Sequence, residues 1–143
     1  MSTQEKEMRY REAVWYIENA SDILRTKGKK ESGYYQDEKY VKMACGTAYS
    51  GVLFALETYF DLKGVPLEKK KSSRTNAKDF ELRLAQLDKK ILNEFKTTYE
   101  VLHLSGYYEG LTKYGVIREG IDSAINIVNK IKPVGMEGLK LAK

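Results

Sequence analysis

The chain has 143 residues, a formal net charge of +5, 42% hydrophobic and 31% charged residues, and only 2 prolines. That length suits one domain burying about two thirds of its unfolded surface, and the composition excludes a disordered chain and a turn-rich sandwich. Cys45 is the single cysteine, which excludes an internal disulfide and a cysteine-based zinc site.

Residues 2–7 are polar and acidic and carry neither the apolar stretch of a signal peptide nor an Arg-rich transit pattern. The longest apolar run, residues 52–56, falls far short of the roughly 20 residues that span a bilayer. The expectation is a cytoplasmic protein in a reducing compartment, away from the membrane.

Ser2 followed three positions on by Glu5 has the capping-box spacing, so a first helix is predicted from there to Gly28. Tyr10, Ala13, Val14, Ile17, Ala20 and Leu24 recur at spacings of three and four and share one face. Residues 28–37 are polar, contain Gly33 and read as the first connection. A second helix follows from about Asp37 to Lys63. Its stripe of Val41, Ala44, Cys45, Ala48, Val52, Ala55, Leu56 and Tyr59 is widened by Tyr40, Met43, Leu53, Phe54 and Phe60, the pattern of a central helix.

Gly64 is placed to end that helix, and Pro66 cannot continue it. Between positions 63 and 78 lie Lys63, Lys69, Lys70, Lys71, Arg74 and Lys78 against the single acid Glu68. Lys69, Lys70, Lys71, Arg74 and Lys78 are the candidate polyanion-binding residues, because counterion release would drive phosphate binding to such a cluster. Asn76 with Asp79 reads as the next N-cap. A long third helix is predicted from there, with Leu84, Leu87, Ile91, Phe95, Tyr99 and Leu102 as its stripe and a break near Gly106 or Gly110. Residues 105–115 are dense in glycine and tyrosine, which predicts a kink or short helical piece. A last helix begins near Val116, shows its stripe at Ile117, Ile121, Ala124, Val128 and Ile131, and ends at Pro133. The prediction is all-α: an up-down bundle of four to five helices as one domain over residues 1–132, with a loose tail at 133–143. No repeat and no hairpin signal is visible.

Glu100 and His103 share a helical face at the spacing used in bundle metal centres, but His103 is the only histidine and such centres need two copies. No metal and no cofactor is therefore assigned. Cys45 falls in the second helix's stripe and reads as a small core residue rather than a nucleophile. The glycines form no phosphate-cradling spacing. Among 11 tyrosines, Tyr99, Tyr107, Tyr108 and Tyr114 cluster around the predicted break and are the candidates for an interface or cleft, since a tyrosine joins an apolar ring to a polar tip. Bases can also stack on such rings.

The small-residue second helix, YVKMACGTAYSGVLFALE at residues 40–57, the segment HLSGYY at 103–108 and REGIDSA at 118–124 together resemble the HEPN superfamily over about residues 8–132. The chain is also similar to an uncharacterised Bacteroidetes family of small HEPN-like helical proteins. The resemblance implies a helical bundle, a homodimer, and either ribonuclease activity or partnership with a nucleotidyltransferase-like protein. Catalytic members carry an arginine shortly ahead of a histidine. The corresponding positions before His103 hold Lys96, Thr97 and Thr98, so Lys96 and His103 are the candidate catalytic pair. Lysine lacks the bidentate fork of a guanidinium. The reading is thus a homodimeric binding module for nucleic acid, nucleotide or a protein partner rather than an enzyme, with a degenerate or active HEPN-type ribonuclease as the alternative.

Overall fold

The computed structural model describes residues 2–68, 76–136 and 138. Helix α1 spans Thr3–Lys27, and the Ser2 side chain accepts from the Glu5 amide at 3.1 Å. Asp37 caps α2, Glu38–Leu62, by accepting from the Lys39 amide. Asn76 and Asp79 open α3, Ala77–Leu87, with a reciprocal box: the Asp79 amide donates to Asn76 at 3.1 Å and the Asn76 amide to Asp79 at 3.0 Å. The last helix, α5, runs Tyr114–Ile131 and stops before Pro133, as expected.

The single long third helix is corrected to three consecutive pieces: α3, then α4 at Lys89–Thr98, then a π-helical segment at Tyr99–Tyr108. Asp88 makes the first break. Its backbone is extended (φ −162°, ψ 109°), and its carboxylate accepts from the Lys90 and Ile91 amides, which makes it the N-cap of α4. The apolar stripe continues across the break, with Leu84, Ile91, Phe95 and Leu102 all buried, so its periodicity conceals the change of direction.

The first connection also differs from expectation. Strands β1 (Lys30–Glu31) and β2 (Tyr34–Tyr35) pair antiparallel across Ser32 and Gly33, whose φ values are 52° and 84°. Two positive φ angles are the mark of a type I′ hairpin. Strands of two residues are too short to show alternation in the sequence. The hairpin is tied to the approach to α5: the Tyr35 amide donates to Thr112 at 2.8 Å, and the Tyr114 amide to Gly33 at 3.0 Å.

Helices α1 and α2 run antiparallel, with Arg9 paired to Asp61 at 2.9 Å and Tyr16 packed against Phe54. The π-helical segment runs back along α2, and α5 packs on it and on α4, where Asn126 donates to Glu94 at 3.4 Å and Gly120 lies under Val101 and Leu102. The result is the up-down all-α bundle, with α3 as an additional helix closing one end through Phe80 on Phe60 and Phe95. Val52, Leu56, Ile91 and Phe95 meet in the core, and Leu87 packs half-buried on its edge. No helix among the described residues is long and apolar enough to cross a membrane.

Candidate functional site

The site begins with small residues. A β-carbon on Gly106 would stand 2.7 Å from Cys45 Cβ and nearer still to its Sγ, and one on Gly46 would stand 2.9 Å from the Tyr107 ring. Both distances are inside van der Waals contact, so the lack of side chains at Gly46 and Gly106 lets the π-helical segment lie directly on α2. Cys45 is fully buried there, and burial pushes its thiol from 9.0 up to about 12. It is the core residue its stripe predicts.

That approach gathers tyrosine rings around the single histidine. The His103 ring stacks on Tyr49 with centroids 4.7 Å apart, on Tyr99 at 5.4 Å, and lies nearly parallel to Tyr107 at 6.1 Å. Tyr108 meets it edge-on at 4.9 Å. The half-buried imidazole is held below its ordinary value of 6.5 because burial penalises the charged form. The cage thus favours the uncharged form of the ring.

A cleft of about 810 Å³ opens beside these rings. One wall is the face of α2 formed by Met43, Gly46, Thr47 and Ser50, which follow one another at helical spacing. His103, Tyr107 and Tyr108 form the other wall, and Tyr16 of α1 closes the side. Lys42 is the one cation lining it among the described residues, 3.4 Å from Glu38. Such a lining offers stacking surface, the aliphatic hydroxyls of Thr47 and Ser50, and a cation, which suits a planar ring with polar substituents.

Of the tyrosines singled out by sequence, Tyr99, Tyr107 and Tyr108 surround His103, while Tyr114 lies elsewhere, 5.6 Å from the Tyr35 ring. Lys96 is exposed on α4 and does not line the cleft. A seven-residue spacing would align Lys96 with His103 only on a continuous α-helix, and the backbone turns π-helical at Tyr99. Lys78 is exposed in the first turn of α3; Lys69, Lys70, Lys71 and Arg74 lie outside the described residues. No group of three or more His, Cys, Asp or Glu side chains comes together among the described residues, so Glu100 and His103 gain no third ligand. Sequence reading missed Tyr16, Tyr49, Thr47 and Ser50. The available signal was the second face of α2, at 46, 47 and 50, small and polar beside the apolar stripe.

Fold and site together define an all-α bundle with a tyrosine–histidine cleft floored by a small-residue helix. The chain belongs to the DUF5618 family, a domain of unknown function whose model matches residues 8–133. It is similar to a protein of unknown function from Dyadobacter fermentans of known structure, at 47% identity over 92% of this chain and 97% of that chain, with a TM-score of 0.78. Comparison with curated proteins gives no match.

Proposed function

We propose that the chain is a HEPN-like, non-catalytic binding module that acts as a homodimer and takes the planar base of a nucleotide or single-stranded nucleic acid in the tyrosine–histidine cleft. One observation carries this reading: the His103 ring, backed by Tyr49 and Tyr99, opens toward a cleft whose Tyr107 and Tyr108 remain 46% and 64% exposed. Stacking of a base on an aromatic side chain contributes about 1–3 kcal/mol and tolerates any base. Lys42, Thr47 and Ser50 supply a charge and two hydroxyls for the sugar–phosphate part.

Binding is favoured over cleavage because the cation in the lining is a lysine already beside Glu38, whereas gripping a scissile phosphate calls for the fork of a guanidinium. The homodimer rests on the HEPN resemblance and on the exposed apolar side chains of Trp15 (59%) and Met43 (50%), of the kind enriched at interfaces. The test is single-stranded RNA incubated with the protein, scored for both retention and integrity, beside His103→Ala. RNA that is retained and intact supports the reading. RNA cut by the parent chain and spared by His103→Ala supports the ribonuclease instead.

A further inference from the structure

A second hollow, of about 390 Å³, lies between the last turns of α1, the hairpin and the first turns of α5. Three cations from three different elements line it: Arg25 of α1, Lys30 of β1 and Arg118 of α5, around the rings of Tyr35 and Tyr114. The acids beside them are Asp22, 2.8 Å from Arg25, and Asp122, 3.0 Å from Arg118. Three cations against two carboxylates leave one positive charge in excess. Asp122 engages Arg118 at Nε, and the two terminal nitrogens of that guanidinium make no hydrogen bond among the described residues, so the planar fork is available to a ligand.

The hairpin builds this hollow. Its backbone bonds to Thr112 and Tyr114 set Lys30 Nζ 3.7 Å from the centroid of the Tyr114 ring, a cation–π contact that fixes the ammonium at the wall. Tyr35 is only 6% exposed and packs 5.6 Å from Tyr114. Burial pushes the Tyr35 hydroxyl up to about 12 even against the lowering pull of Arg118, so it remains a neutral donor at physiological pH.

We propose that this hollow binds a small phosphate monoester, with Arg118, Lys30 and Arg25 converging on the phosphate. A carboxylate is satisfied by one guanidinium fork, whereas a phosphate presents three terminal oxygens and matches donors arriving from three sides. The volume lies within the range of small-ligand sites. The hollow shares no lining residue with the tyrosine–histidine cleft, so either assignment can fail while the other stands.

The experiment is a titration of the full chain followed by backbone amide resonances, with phenyl phosphate, inorganic phosphate and benzoate as separate probes. Phenyl phosphate is expected to give saturable shifts at Lys30, Tyr114 and Arg118, and to bind more tightly than benzoate. Arg118→Gln and Lys30→Gln should each weaken it about tenfold, the effect of losing one charge-assisted hydrogen bond. Lys89→Gln, exposed at the start of α4 and outside the lining of the hollow, should leave it unchanged. Absence of saturable shifts at those residues through the millimolar range, affinity in both Gln variants unchanged from the parent chain, or benzoate binding as tightly as phenyl phosphate would each overturn the assignment.

Discussion

Cys45 and Gly106 meet where α2 crosses the π-helical segment, so closely that a β-carbon at position 106 would stand 2.7 Å from Cys45 Cβ. Cys45 is fully buried and has no space into which to retreat. Gly106→Ala should therefore destabilise the chain by about 1–3 kcal/mol, the cost of overpacking a filled core. In a Cys45→Ala background the added penalty should be smaller, since the sulfur is gone. Denaturant melts of the four chains measure this coupling. Equal penalties in both backgrounds would mean that the helices do not cross there.

Phe95 is fully buried, stacked between Phe80 at 5.8 Å and Tyr49 at 6.3 Å. It links the end-closing helix α3 to the wall of the cleft. Phe95→Ala is expected to cost about 3–5 kcal/mol in chemical denaturation. A loss under roughly 1 kcal/mol would remove Phe95 from the core.

His103 titrates below 6.5 because its ring cage desolvates the cation. For a base whose pKa is lowered by folding, the associated stability is complete above 6.5 and is lost as the pH falls through the folded-state value. The imidazole resonances of the native chain should accordingly show a midpoint below 6.5. Tyr108→Ala, which removes the edge-on ring at 4.9 Å, should move that midpoint upward toward 6.5. A native midpoint at or above 6.5 would mean that the cage does not close over the histidine.

How much of this was legible in the sequence follows the range of the interactions. The Asn76–Asp79 box and the Gly64–Pro66 stop are local, so residue type and spacing disclosed them. Asp88 is equally local, yet it sits within an unbroken apolar period, and a cap inside a continuous stripe gives no sign of itself. The π-helical segment depends on Gly106 meeting Cys45 and Gly46 meeting Tyr107, contacts between residues 61 positions apart in each case, which no local pattern records. For the same reason His103 was visible as a candidate while Tyr49, its nearest stacking partner, was not.

Self-association is the least local expectation. Exposed Trp15 and Met43 and the implied dimer together lead to a mass of two chains in light scattering at micromolar concentration, moving toward one chain on dilution. Trp15→Glu should shift that balance toward the monomer, because a charge would be buried in the interface. One-chain mass across the whole range, without a trend, would remove the dimer.

A base stacked in the cleft beside His103 would lie against rings that report on it. The most direct measurement follows the His103 imidazole and the Tyr107 and Tyr108 ring resonances while single-stranded RNA of mixed sequence is added at low salt, with a sugar–phosphate strand lacking bases as the control. Saturable ring-current shifts at His103, Tyr107 and Tyr108 are expected with RNA alone, with affinity reduced at least about fivefold by Tyr108→Ala, as loss of one stacking ring requires. Unmoved His103 resonances at saturating RNA, or equal shifts from the baseless strand, would contradict it.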